Sequence, residues 1–316
     1  MKISQWIWML CLSLVATQRG AADGGVTVKQ NEEGFAISEE GRPVLFYQIK
    51  AKSQEEKFKR ANYVHPLYSL GGEVLTEDFP KDHLHHRGVF WAWHTLTVGG
   101  EYAGDNWVCD DFEWDLQEAK VVKGKANVGG VETRWLWKSP KVVDAKGEMK
   151  AMVEEITTVR VGTRRDHYRL VDFEIRLKAL LDEVRMAGSL DEKGYGGFSV
   201  RMHRPKDMVF TGDIGVVKPQ RLAVEGGEWM DMSGSLTSEG KSGLTILCHP
   251  SLPIFPQKWL LRMGAQQNPR WPGNKPVLLP KGEEVILRYR LVIHDDQLKA
   301  EDISRLQDEY ANEAVK

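Results

Sequence analysis

Four of the nine histidines fall within twelve residues, in the run Asp82-His83-Leu84-His85-His86-Arg87-Gly88-Val89-Phe90-Trp91-Ala92-Trp93-His94. Imidazole is both a metal ligand and a proton carrier near neutral pH. If residues 83–86 are extended, His83 and His85 share a face and His86 points the other way. Two neutral imidazoles at that spacing on a strand can hold one metal, as in cupin-type sandwiches. His83, His85 and His94 form the candidate ligand set, Asp105 or His249 could complete it, and the ion would be one divalent transition metal. The metal-free use of the same residues is acid–base chemistry. There His85, His86 or His94 is the proton carrier and Asp105 or Glu228 the partner carboxylate.

Three further segments carry polar side chains suited to a ligand. Gly99-Gly100-Glu101-Tyr102-Ala103-Gly104-Asp105-Asn106-Trp107 reads as a loop, because glycine admits positive φ. It delivers a carboxylate, an amide and an indole close to the histidines, the chemistry of a sugar subsite, with Trp107 as the apolar platform. In Gly196 to Arg204 (GGFSVRMHR), Arg201 and His203 share one strand face, opposite Val200 and Met202. Cys248-His249-Pro250-Ser251-Leu252-Pro253 is made irregular by its prolines, and with Arg262 it offers groups that orient hydroxyls or a carboxylate. There is no Gly-x-Ser-x-Gly elbow, phosphate-cradling loop, dinucleotide fingerprint or His-Glu-x-x-His.

The elements that must position these residues are strands. Val26 to Gln30, Gly34 to Ser38, Pro43 to Lys50, Glu132 to Lys138 and Glu154 to Val161 are each short and bounded by turn residues. In Tyr168 to Leu177, Val171, Phe173, Ile175 and Leu177 alternate with Asp172, Glu174 and Arg176, the period of two of a half-buried strand. Val285 to Ile293 repeats it, with Arg288 and Arg290 on the second face. Only Ala300 to Ala314 has helical spacing, through Ile303, Leu306 and Tyr310, with Glu301 and Asp302 in its first turn. Many strands, one terminal helix and no βαβ alternation predict an all-β protein, a large two-sheet antiparallel sandwich.

Composition sets the outer bounds. With 41% hydrophobic residues the chain can build a core, and 43 basic against 45 acidic residues give no reason to expect nucleic acid or an anionic membrane as partner. Lys2, the apolar run Ile7 to Ala16 and the small residues Gly20-Ala21-Ala22 read as a signal peptide over residues 1–22. A single domain over 23–316 and a secreted or periplasmic location follow. No later segment is apolar enough to span a membrane. Cys109 and Cys248 remain, as one disulfide or two thiols.

The segments His83-Leu84-His85-His86-Arg87-Gly88-Val89-Phe90-Trp91, Gly197-Phe198-Ser199-Val200-Arg201, His249-Pro250, Leu279 to Glu284 and Leu287 to Asp295 resemble the bacterial family labelled "methane oxygenase PmoA", over roughly residues 40–296. The chain departs from that family's pattern at Arg87, where histidine or glycine is common. A membrane monooxygenase subunit needs several spanning helices of about 20 apolar residues, so the resemblance implies family membership and not methane oxidation. Members are common in bacteria that degrade complex glycans, which implies a carbohydrate partner. The expectation is a sandwich of the sugar-mutarotase type, by analogy of fold, acting on carbohydrate by epimerisation, β-elimination or hydrolysis. The rival readings are a metal-dependent oxidoreductase or lyase and a non-catalytic glycan-binding module.

Overall fold

The computed structural model describes residues 25–313 except 125, 126, 239, 264, 265 and 297. The leader expected over residues 1–22 lies outside the described residues. Two large antiparallel sheets dominate. The nine-stranded sheet runs in the order Glu113–Lys123, Gly129–Val143, Met149–Val161, Tyr168–Ala179, Glu284–Asp295, Gly240–Cys248, Trp229–Thr237, Val209–Gly212 and Gly215–Val216. The eight-stranded sheet runs Val26–Gln30, Gly34–Glu39, Arg42–Gln48, Tyr63–Leu67, Val89–Trp93, Gly196–Arg201, Gln266–Pro269 and Trp259–Leu260. Their inner faces meet through aromatic rings. Phe198 lies 5.1 Å from Phe173 and stacks on Tyr289 at 4.6 Å, and Trp93 sits 5.8 Å from Trp137. This is the all-β sandwich that the alternating runs predict. In Tyr168–Ala179 every second residue is buried, as the period of two requires.

The second face of Glu284–Asp295 is also covered. Arg288 and Arg290 are buried there in ion pairs with Glu174 (2.8 Å) and Asp172 (2.5 Å). The helix Ala300–Ala311 packs alongside, setting Ile303, Leu306 and Tyr310 against Trp229, Leu247 and Val292. It ends three residues before the expected Ala314, with Asn312 as its C-cap.

One charged group sits deep in the interior. Glu155 is fully buried and accepts hydrogen bonds from Asn62 Nδ2, Trp91 Nε1, Trp137 Nε1 and Thr157 Oγ1 at 2.6–2.7 Å. Burial pushes its pKa up and the four donors push back. Indoles from both sheets therefore share one carboxylate, which fixes how the sheets face one another. Cys109 and Cys248 are both free thiols, the first partly exposed and the second buried, which settles the alternative left open by their number. Among the described residues, no helix is long and apolar enough to cross a membrane.

Candidate functional site

The histidine run is not extended. His83 N–H donates to Pro80 O (3.0 Å) and His86 N–H to His83 O (2.9 Å), so consecutive turns lead into the strand Val89–Trp93. The face-sharing expected of His83 and His85 is therefore overturned. It is His83 and His86 that lie ring on ring, 4.7 Å apart and within 2° of parallel, with His85 edge-on to His86 at 4.5 Å. Parallel stacked rings do not aim their nitrogens at a common point. Among the described residues, no group of three or more His, Cys, Asp or Glu side chains is placed to hold a metal ion, so the set His83, His85 and His94 is not assembled.

The glycine-rich stretch expected as a loop is a hairpin. Thr95–Val98 pairs with Glu101–Gly104 across Gly99-Gly100, whose φ values of +60° and +87° suit a tight turn that glycine alone adopts cheaply. Closing the hairpin brings its two flanking residues together. His94 Nδ1 donates to Asp105 Oδ2 at 2.8 Å. Asp105 is held in turn, its Oδ1 accepting the backbone N–H groups of Trp107 (2.8 Å) and Val108 (3.0 Å), and its main chain bonding both ways to Asp110. Because the carboxylate takes the Nδ1 proton, the Nε2 lone pair of His94 is the basic end. The His94 side chain is 23% exposed, enough for a ligand to reach that end.

Trp107 ties the two histidine groups together. Its ring stacks on His94 at 5.3 Å and meets His86 edge-on at 5.9 Å. It is buried, so it aligns imidazoles rather than offering the open platform expected of it. Asn106 is also buried, accepting Trp93 N–H through Oδ1 at 2.6 Å.

Arginines surround the inner histidines. Arg201 is buried, with Nε on Glu77 (2.7 Å) and Nη2 on Asp82 (2.6 Å), while Nη1 lies 3.4 Å from His86 Nδ1. A guanidinium only donates, so His86 Nδ1 accepts and its proton sits on Nε2. Arg87 donates to Leu84 O and Phe58 O at 2.7 and 2.6 Å and faces Asp78 at 3.4 Å. Burial, then the charge of Arg60, drives His85 down to about 3. Burial and the neighbouring His85, His83, Arg201 and Arg60 drive His86 far below the imidazole range. Both rings are neutral at physiological pH.

The remaining expected residues divide. His203 is half-exposed and 3.8 Å from Glu77. It shares with Thr76, Glu77, Asp82 and His65 the wall of a cleft of about 560 Å³ that borders the run. Arg262 donates to Tyr195 Oη at 3.0 Å, and Tyr195 lies 6.0 Å from Trp107, so Arg262 stands one layer back. Glu228 and His249 sit instead beside the terminal helix. Glu228 Oε2 lies 3.5 Å from Gln307 Nε2, and His249 packs edge-on to Tyr310 at 4.9 Å. Among the described residues neither touches the 83–107 site. The sequence reading had not singled out Arg60, Glu77 and Asp78. Arg60 closes Lys57-Phe58-Lys59-Arg60, which reads locally as a solvated basic run.

Fold and site together define an antiparallel β-sandwich bearing a histidine, carboxylate and guanidinium site at one end of a central strand. The chain belongs to the family described as "Family of unknown function (DUF6807)", whose model matches residues 35–308. No curated protein matches the chain.

Proposed function

We propose that this is an exported carbohydrate-active enzyme in which His94, oriented by Asp105, passes a proton to or from a sugar. The observation that carries this is the 2.8 Å His94–Asp105 pair, whose imidazole is partly exposed and is joined through Trp107 to the neutral ring of His86. A carboxylate on Nδ1 fixes the tautomer and stabilises the imidazolium that forms during transfer. His85, neutral and partly exposed, presents an N–H or a lone pair to hydroxyls, and the cleft sets Glu77, Asp82 and His203 beside the apolar Val74, Phe79 and Pro80, the mixed wall that a sugar ring meets. The resemblance to proteins of glycan-degrading bacteria supports the same class of substrate.

The test is a panel of mono- and oligosaccharides, followed by mass spectrometry and proton NMR in deuterated water, with wild type and His94→Gln in parallel. Conversion of a sugar by the wild type, reduced about 10²–10⁴-fold in the variant with binding kept within a few fold, is expected. Unchanged turnover in His94→Gln removes the assignment. Binding without conversion makes the protein a glycan-binding module.

A further inference from the structure

Arg60 is fully buried, yet no carboxylate pairs with it. Its Nη2 donates to Asn106 O (2.5 Å) and Trp107 O (2.9 Å), and its guanidinium carbon lies 5.0 Å from the rings of both Phe90 and Trp114. Nε and Nη1 have no acceptor, and neither does Nδ2 of the adjoining Asn106. Three buried donors thus have no nitrogen or oxygen acceptor, and the further group that Arg60 bears on is the Cys109 thiol, whose pKa burial raises, so it supplies no counter-charge. The two other buried guanidiniums beside the histidine run are answered, Arg87 by Asp78 and Arg201 by Glu77 and Asp82. Those three carboxylates line the 560 Å³ cleft, and Arg60 does not. The permanent charges that weigh most on His85 and His86 are the guanidiniums of Arg60, Arg87 and Arg201, and no carboxylate is among them. A buried cation without a counter-charge is destabilising, and unmatched donors add to that cost. The missing component at the inner end of the site is negative charge.

We infer that the site takes an anionic sugar, a uronic acid or its glycoside, with the carboxylate seated against His85 and His83 in the field of Arg60. The inference rests on the carbohydrate reading above and narrows it to one substrate class. Imidazole N–H groups donate to the carboxylate, and Arg60 supplies charge from behind without touching it. The hydroxyls then face Glu77, Asp82 and His203 across the rim.

Calorimetric titration of the full protein decides this, using glucuronate and galacturonate disaccharides, their neutral glucose and galactose counterparts, and inorganic sulfate. Uronates should bind at least about tenfold more tightly than the neutral sugars, and sulfate should compete with them, as expected for a charge in a low-dielectric site. Arg60→Met should erase the difference and leave the neutral sugars unchanged, while Arg60→Lys should restore most of it. Should Arg60→Met fail to fold, sulfate competition and loss of uronate affinity at high salt in the wild type carry the same information. Equal affinity for neutral and acidic sugars overturns the anionic class but leaves the carbohydrate reading standing. Binding of sulfate with no sugar bound does the reverse. Absence of binding by all three probes overturns both.

Discussion

Two histidine–carboxylate pairs of nearly equal length occur in this molecule, and they are built for opposite ends. His94 and Asp105 meet at 2.8 Å at a partly open edge, with the imidazole bonded to the carboxylate through Nδ1 alone and its side chain partly exposed. His294 and Asp231 meet at 2.7 Å inside the nine-stranded sheet, and there both nitrogens are used, Nε2 on Asp231 and Nδ1 on Asp295 O at 2.7 Å. Two acceptors on one ring require two donors, so His294 is an imidazolium. Burial alone would lower its pKa, but the hydrogen bond and charge of Asp231 win and raise it, while Asp231 is held below the usual carboxylate range. A short His–Asp distance therefore does not mark a reactive pair. What marks it is whether one nitrogen remains for a ligand.

That contrast can be broken most directly at Asp231. Asp231→Ala leaves a buried imidazolium without its counter-charge, and a loss of about 3–5 kcal/mol is expected in urea unfolding; a loss under about 1 kcal/mol would mean His294 is not the charged, structural member. Next comes Gly243→Ala. A Cβ there would stand 2.3 Å from His294 Cε1, on a ring pinned at both nitrogens, so a cost of about 1–3 kcal/mol follows.

The pH dependence separates the regions by sign. His85 binds its proton near 6.5 when unfolded but only near 3 when folded, so stability falls as pH drops through that window, by up to about 1.4 kcal/mol per pH unit. His294 acts oppositely. Its raised value makes its contribution full below the unfolded pKa and lost as pH rises through the folded one. Unfolding midpoints at pH 7 and 5 for wild type and His85→Asn measure the first slope, which the substitution should flatten. The smallest effect is expected for Asp105→Asn. It keeps the Oδ1 contacts to Trp107 and Val108, so its cost should stay within about 1 kcal/mol, whereas the turnover assigned to His94 should collapse. Equal damage to both would make the open pair structural too.

Much of the sandwich was legible because strands with one buried face write their period into the sequence. Tyr168–Ala179 shows it, and the Gly99-Gly100 turn was visible as a pair of glycines even though its short flanks read as loop. The turns at Pro80–Arg87 carry no such period, so the spacing of His83 and His85 suggested a shared face that the chain does not adopt. His94 and Asp105 were each legible as reactive types, but their pairing depends on the hairpin between them. Arg60 was illegible for a different reason: whether a basic residue is solvated or buried is settled by Phe90, Trp107 and Trp114, all at least 30 positions away.

The hairpin has one more consequence, for the kinds of mutation the site can absorb. His94 and Asp105 are neighbours only because the residues between them fold back in a fixed count. One residue inserted into or deleted from either arm turns the following side chains to the opposite face, separating the pair without altering any residue in it. A matched addition to both arms preserves the facing. Length change in single steps, more than substitution, is therefore the variation to which this pair is most sensitive.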